Sequence, residues 1–279
     1  MRIRVVPWLV LVTGLLLAGA AGRALWLSWH HMRLMAMEVA PPPPGMVLVP
    51  AGWFLKGSDD PEANPDERPL RRCFLPAYYI DRHEVTHREY RAFRKDQAFP
   101  EQDADRPVTG LLKSEAEAYA RFVGKRLPTA AEWEKAARGT DGRRYPWGDE
   151  YETGRANVRP ENVTWVDGVL CARVVEAKAG TNLVLLQVEP VGSYPAGASP
   201  CGAEDMSGNV WEWVADEWRD ANALGFRTGF PRGILRGGGY AYSPRHARTS
   251  YQAFESLEST CNDVGFRCAR DAAPLRARE

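Results

Sequence analysis

Hydrophobic positions form one long run at the N-terminus and only short, irregular groups afterwards. Arg2 and Arg4 precede the uncharged stretch Val5–Gly22, whose eighteen residues would span about 27 Å as a helix, close to the hydrocarbon thickness of a bilayer. The same pattern, with Ala18–Ala20 as the cleavage site, describes a signal peptide. Either interpretation places the bulk of the chain outside the cytoplasm.

Apolar character resumes in residues 24–29, which favours an uncleaved anchor over residues 1–33, with secretion after cleavage as the alternative. Four consecutive prolines, Pro41–Pro44, predict a stiff linker over residues 34–45. The folded domain is expected at 46–271, followed by a tail at 272–279.

Three short strands are predicted in the first part of this domain. Met46–Leu55 reads as two strands around a turn at Ala51–Gly52, and Cys73–Ile80 alternates as a single strand. After Gly139 the pattern predicts loops and brief strands, without another periodic helix.

Three capping boxes predict three helices of about ten residues each. The hydroxyl and carboxylate pairs are Thr86 with Glu89, Ser114 with Glu117, and Thr129 with Glu132. The second helix is expected to place Tyr119, Phe122 and Val123 on one face and to stop at Gly124. The third is expected to bury Trp133, Ala136 and Ala137 and to stop at Gly139.

Composition narrows the fold class. The chain has 10 Trp, 25 Gly and 21 Pro among 279 residues, which favours a loop-rich α+β domain with little regular secondary structure. Its 36 basic residues balance 36 acidic ones, so nothing indicates a nucleic-acid partner.

His83-Glu84-Val85-Thr86-His87 matches the H-E-x-x-H signature of zinc proteases. That chemistry needs both imidazoles on one face of a continuous helix. Because the capping box makes Thr86 the helix start, His83 is expected in the preceding turn, and we interpret the pair as two surface histidines flanking a cap.

Eight segments, in this order, resemble the formylglycine-generating enzyme family, also called the sulfatase-modifying factor family. Their motifs include RLPT-x-x-EWE and GN-x-WEW. The segments are Met46–Ser58, Tyr78–Phe93, Gly124–Gly139, Tyr145–Glu150, Pro190–Gly197, Asp205–Trp213, Leu235–Tyr240 and Asn262–Arg270. The resemblance implies one irregular domain related to C-type lectins.

Members of that family that make formylglycine hold copper(I) with two cysteines, because soft thiolates select this ion. In this chain those positions carry Tyr242 and Ala247, and Gly239 replaces the serine of R-G-G-S. We therefore expect no copper and no formylglycine generation. The iron-binding histidines of the related ergothioneine-pathway oxygenases lie on an additional helical domain that we do not find in this sequence.

The resemblance also implies calcium. Its GN-x-WEW loop maps a calcium site onto Asp205, Gly208, Val210 and Glu212, an all-oxygen set that suits a hard cation. A second calcium site would begin at Asn157 and Val158, but no matching Asp follows. The alternative at the first site is that Glu212 pairs with a nearby Arg while the Trp residues pack.

The family's substrate cleft maps onto Trp211, Tyr242, Ser243 and Arg248. Aromatic groups and an Arg around a groove suit a peptide or an aromatic ligand. The alternative is a packed tryptophan core in which Arg248 makes a structural ion pair.

Five cysteines allow one or two disulfides in an oxidising compartment. Cys171 and Cys201 lie in or beside the long insertion before GN-x-WEW and are one candidate pair. Cys268 would pair with Cys73 or Cys261, or stay buried and free.

These features favour an extracytoplasmic, membrane-anchored accessory or maturation factor that acts on a periplasmic or membrane protein. A second hypothesis is an enzyme of different chemistry, as in the pyoverdine-maturation branch that resembles this family. A third is a structural or ligand-binding subunit of a membrane complex.

Overall fold

The computed structural model describes Arg23 and residues 25–159, 163–166, 169–174, 182–185, 187–221 and 227–275. At 163–166, 169–174, 182–185, 220–221 and 227–228 it describes the backbone alone. Residues 1–22 of the predicted anchor or signal peptide therefore lie outside it. Within the described ranges, no helix is both long and apolar enough to cross a bilayer. The first helix, α1, covers residues 25–35.

The two ends of the domain meet in a three-stranded antiparallel sheet. β1 (Met46–Val49) and β12 (Ala269–Asp271) both pair with β4 (Tyr78–Asp81). The predicted linker is fastened to this sheet, because Tyr79 donates from its hydroxyl to the Ala40 carbonyl and Ala40 N–H donates to Ala273. Residues 34–45 thus pack on the domain and do not extend away from it.

β2 (Gly52–Lys56) and β3 (Arg71–Leu75) form a separate hairpin. Two strands around Ala51–Gly52 are confirmed, but the single strand predicted over Cys73–Ile80 is wrong. Pro76 lacks an N–H and has a fixed φ, so the chain leaves the first ladder there and enters the second sheet at Tyr78.

The second half of the domain is more regular than its sequence pattern predicts. β8 (Trp211–Ala221) and β9 (Arg227–Arg236) form a long antiparallel pair, flanked by β10 (Ala253–Ser256) and β11 (Val264–Gly265). All four residues from Trp211 to Val214 are buried, so the alternation that identifies a half-buried strand is missing there. The insertion carries a small antiparallel meander of three strands, which are β5 (Val163–Val166), β6 (Val169–Val174) and β7 (Asn182–Leu185).

Two of the three helix starts are confirmed. α2 (His87–Arg91) and α4 (Ala130–Arg138) follow reciprocal capping boxes at Thr86 and Thr129, although α2 has only five residues. The start predicted for α3 (Lys113–Phe122) is wrong. Its N-cap is Leu112, and the Glu115 carboxylate accepts from the Leu112 N–H at 3.1 Å.

The positions of α3 and α4 determine which of their side chains are buried. Trp133, Ala136 and Ala137 of α4 are fully buried, as predicted. On α3, Tyr119 is buried, but Phe122 is 59% exposed and its neighbour Val123 is 36% exposed, so the predicted inward face is wrong there. The residues of α3 that enter the core are Ala116, Tyr119 and Ala120.

The four cysteines whose side chains are described, Cys73, Cys201, Cys261 and Cys268, are free thiols. Cys268 is fully buried, which is the unpaired alternative left open by the sequence. The side chain of Cys171 is outside the described set. Because Cys201 is free, a bridge between these two residues is not formed in the structure.

Candidate functional site

The Asp205–Trp213 loop is shaped by residues with left-handed backbone angles. Asp205 and Asn209 have φ of 55° and 63°, and Gly208 has φ of 82°. A Cβ at Gly208 would come 2.3 Å from the Asn157 carbonyl oxygen, so only glycine fits this approach. The two segments predicted to bind calcium therefore lie side by side, joined by a bridge between Asn157 and Gly208.

Glu212 is fully buried and is bonded to two residues from other elements. Arg267 donates to both of its carboxylate oxygens at 2.8 Å, and the Trp133 indole N–H donates to Oε2 at 2.8 Å. This bidentate pair joins β8 to the chain that follows β11. Trp133 itself has no exposed surface, so α4 packs against the same carboxylate.

Arg267 also faces two further carboxylates. Asp205 accepts from the Gly192 N–H at 2.6 Å, and burial raises its pKa. Burial likewise raises the pKa of Glu84 well above its ordinary value, and Asp205 adds to that shift. The Glu84 Oε2 atom lies 4.0 Å from Arg267 and has no hydrogen-bond partner among the described residues. Sequence reasoning assigned Glu84 only to the H-E-x-x-H match and missed its place in this cluster.

The cluster contains the ion pair that the sequence left open as the alternative to calcium, because Glu212 pairs with Arg267 and Trp133 packs against it. Three buried carboxylates, those of Glu84, Asp205 and Glu212, face the single guanidinium of Arg267. A calcium ion held by Asp205, Glu212 and the carbonyls of Gly208 and Val210 would share Glu212 with Arg267.

The second predicted calcium segment is engaged by its neighbours. The Asn157 amide nitrogen donates to the Gln187 carbonyl and to Asn209 Oδ1, while its carbonyl accepts from the Asn209 N–H. Val158, the other candidate there, is buried beside Ala247.

His83 and His87 have separate environments. His83 Nε2 lies 3.2 Å from Glu204, in the turn before α2. The His87 ring lies 5.2 Å from that of Phe99. Among the described residues, no group of three or more His, Cys, Asp or Glu side chains is arranged to hold a metal.

The candidate cleft has an aromatic floor. Trp211 is buried, with its ring centroid 5.3 Å from that of Tyr242 and 6.0 Å from that of Tyr251. His246 completes the cluster, with centroids 5.4 Å from Tyr242 and 5.0 Å from Tyr251. Tyr242 is the most open member at 36% exposure.

Tyr242, at one of the two positions where the family resemblance implies a copper-binding cysteine, lies at the surface of this cluster. Burial raises the pKa of its phenol, and the Asp263 carboxylate beside it raises the pKa further. The phenol consequently stays protonated at neutral pH and acts as a hydrogen-bond donor. The second cysteine position, Ala247, is fully buried and offers only a methyl group.

Ser243 and His246 form a polar pair at the same surface. Ser243 Oγ lies 3.0 Å from His246 Nδ1. Burial lowers the pKa of His246, and the nearby Arg245, Arg159 and Arg248 lower it further, so its imidazole is neutral at pH 7. Sequence reasoning did not include His246 in the cleft, although its position three residues after Ser243 was available as a signal.

Arg248 lies beneath this surface. It is 1% exposed and donates to Glu67 at 2.9 Å and to the Arg245 carbonyl. Of the four residues predicted for the cleft, Tyr242 and Ser243 are therefore accessible, while Trp211 and Arg248 support them from below.

Comparison with known proteins shows which family this domain resembles. A model of the sulfatase-modifying factor enzyme 1-like domain matches residues 32–272. The chain is 31% identical to the formylglycine-generating enzyme of Thermomonospora curvata, over 81% of this chain and 93% of that protein. It is 32% identical to the hercynine oxygenase of Mycolicibacterium thermoresistibile, over 88% of this chain and 64% of that one.

The uncharacterized protein YfmG of Bacillus subtilis is 28% identical and is matched over 56% of its length. The chain thus spans little more than half of some relatives.

Two solved structures share the architecture. PvdO from Pseudomonas aeruginosa matches with a TM-score of 0.61 and 26% identity, over 84% of this chain and 98% of that one. CarF matches with a TM-score of 0.57 at 21% identity, over 84% and 99% of the two chains, and supports the fold alone. From the domain match and the similarity to the Thermomonospora curvata enzyme, we conclude that the chain belongs to the sulfatase-modifying factor enzyme 1-like domain family.

Proposed function

We propose that this protein is an extracytoplasmic, membrane-anchored accessory or maturation factor, and that it does not generate formylglycine with copper. The observation that carries the proposal is the replacement of the two thiol positions by an exposed, protonated Tyr242 and a fully buried Ala247. Neither side chain provides the soft sulfur ligand that copper(I) requires.

The surface of the cleft supports binding to another molecule. Tyr242 presents an aromatic face while its hydroxyl is hydrogen-bonded to Asp263, Ser243 and neutral His246 add polar groups, and Arg245 places a cation nearby. Tyr and Arg are the residue types that most often dominate binding energy at protein interfaces. The proposed partner is a periplasmic or membrane protein that presents an extended segment to this cleft.

Affinity purification from the producing organism's membranes tests the proposal. Wild type, Tyr242→Ala and the control Phe230→Ala are compared, because Phe230 is a 92% exposed aromatic outside the cleft. We expect a specific partner to be recovered tenfold less with Tyr242→Ala and equally with the control. Equal recovery with all three proteins would reject the cleft as its binding site.

Calcium is proposed as a structural ligand of the Asp205–Trp213 loop, since a divalent cation would offset the excess of buried carboxylates. If so, thermal unfolding in calcium should occur at a higher temperature than in EGTA, because a ligand that binds only the folded state stabilises it. The difference should disappear in Asp205→Ala. Identical unfolding of wild type in calcium and in EGTA would contradict this site.

A modifying enzyme of different chemistry is the second candidate, favoured by the Ser243 and His246 pair. A neutral imidazole beside a hydroxyl is suited to accept a proton from a bound substrate. Stoichiometric transition metal or flavin in the purified protein would favour this candidate over an accessory role. Elemental analysis and visible absorption spectroscopy measure both.

A further inference from the structure

Helix α1 is inverted relative to an ordinary surface helix. Its half-buried side chains are His30, His31 and Leu34, whereas six other large apolar side chains are exposed. The exposed ones are Leu25 at 72%, Trp26 at 58%, Leu27 at 46%, Trp29 at 54%, Met32 at 57% and Met35 at 48%. Six exposed large apolar side chains on one short helix mark an interaction surface.

The helix is held on the β2–β3 hairpin by aromatic contacts. The His31 ring stacks on Phe74 with centroids 3.9 Å apart and meets Trp53 edge-on at 5.0 Å. Trp53 is itself 38% exposed, so the apolar surface continues from α1 onto the hairpin. A bridge between Val39 and Pro274 fixes the chain just after the helix.

The charged side chains of α1 and of strands β2 and β3 are all basic. Arg23 and Arg33 are the only ionisable residues other than histidine between residues 23 and 37, and the hairpin adds exposed Arg71 and Arg72. Two of these cations lie over exposed tryptophans, Arg33 over Trp29 at 5.6 Å and Arg72 over Trp53 at 5.1 Å. Exposed Trp, Leu and Met with flanking Arg are the composition of segments that lie in the interface of an anionic bilayer.

We propose that α1 and the β2–β3 hairpin together form a membrane-docking surface that holds the domain against anionic lipid headgroups. The chain itself argues for lipid as the occupant, because the apolar run Val5–Gly22 ends directly before α1. The inference rests on the membrane attachment in the proposed function, but it adds a second contact, through a hairpin distant from the anchor in sequence.

The test uses the full chain in nanodiscs of phosphatidylcholine and phosphatidylglycerol, with a photo-crosslinking benzophenone residue at Trp53. Position 53 is informative because Trp53 lies on the hairpin, which is the second contact of the proposal, and not on the segment that follows the anchor. We expect lipid adducts by mass spectrometry from position 53 and none from the same probe at Phe230. Adducts with a second copy of the chain, or no adduct at position 53, would overturn the proposal.

A charge-reversal variant provides a second readout at exposed positions, where folding is not at risk. With Arg71→Glu and Arg72→Glu combined, the lipid adduct at position 53 should fall by roughly fivefold or more, since each Arg near an anionic surface contributes about that factor. An unchanged yield would contradict the role of these cations. Co-flotation of the full chain with vesicles reports the anchor separately, so loss of flotation would reject the membrane attachment itself.

Discussion

Glu212 shows how much a single buried contact organises this domain. Its carboxylate receives Arg267 and the Trp133 indole, and none of these three side chains exposes more than a trace of its surface. A charge taken out of water is tolerated only while its partner remains. Removing Glu212 therefore takes away the two carboxylate hydrogen bonds of Arg267 and leaves it only the more distant carboxylates of Glu84 and Asp205.

Glu212→Gln should lower the free energy of unfolding by about 3 kcal/mol, because Arg267 loses its bidentate partner and keeps only the more distant Glu84 and Asp205 as counter-charges. Chemical denaturation in EGTA measures the loss without a contribution from calcium. The matched control is Glu217→Gln, whose carboxylate is 45% exposed and lies 3.8 Å from Lys113. The control should lose less than about 1 kcal/mol, and equal losses would contradict the assignment.

Lys135 gives a pH dependence with a defined sign. Its ammonium is 2% exposed, and burial lowers its pKa from 10.5 to about 8. Between those pH values the unfolded chain binds more protons than the folded one, so the contribution of Lys135 to stability rises with pH and the penalty is largest below pH 8.

Wild type should therefore gain stability relative to Lys135→Met as pH rises from 8 to 10, by less than about 1.4 kcal/mol per pH unit. Denaturant unfolding at several pH values measures the slope. The exposed Lys95→Met is the control and should leave the slope unchanged. A wild-type slope that is flat or negative relative to Lys135→Met would refute the account.

For single residues of the candidate site, the sequence predicts which residues are involved but not what surrounds them in the fold. It locates Tyr242 and Ala247 at the thiol positions, because the flanking glycine motif sets their register. It could not decide whether Arg248 faces a ligand, since its partner Glu67 lies far away in the chain and only the fold brings them together. The same holds for Glu84 and Arg267.

The helices show how well capping motifs in the local sequence predict where a helix begins. The boxes at Thr86 and Thr129 placed α2 and α4 correctly, since capping depends on residues within one turn. For α3, Ser114 and Glu117 form an equally good motif, yet the N-cap is Leu112 and the helix begins at Lys113, two residues earlier than that motif predicts, because Glu115 satisfies the N-cap amide. The buried face, with Ala116, Tyr119 and Ala120 in the core, is the same for either start, so burial does not decide between the two overlapping motifs.

The position at which α3 begins can be tested by substituting two neighbouring glutamates. Glu115→Gln should cost about 0.5–1 kcal/mol of unfolding free energy, because the charged carboxylate bonds the Leu112 N–H and favours the helix N-terminus. Glu117→Gln should cost only about 0.3 kcal/mol, as its ion pairs with Lys113 and Arg121 are long at 3.9 Å. The reverse order, measured by thermal or urea unfolding, would support the cap originally predicted at Ser114.

Strands were less predictable because their signals depend on distant partners. Pro76 divides the apparent strand Cys73–Ile80, but which sheet each half joins is decided by β2 and β1. β8 is buried on both faces at Trp211–Val214, so a two-residue alternation could not reveal its length.

For the whole molecule, the family and the fold follow from motifs spread along the chain. Segments as distant as Asn157 and Gly208, or Asp81 and Arg267, meet in the structure. The chemistry does not follow from the scaffold, because relatives matched along most of this chain include both a formylglycine-generating enzyme and a hercynine oxygenase. Function must therefore be argued from the cleft, where this chain has Tyr242.

The central claim is that this family scaffold operates without copper-thiolate oxidation. Its most direct test incubates the purified protein with copper(I), oxygen and a peptide containing Cys-x-Pro-x-Arg, beside an active formylglycine-generating enzyme. We expect no stoichiometric copper retention and no formylglycine by mass spectrometry, while the active enzyme converts the peptide. Conversion of the peptide by this protein, dependent on copper, would contradict the account.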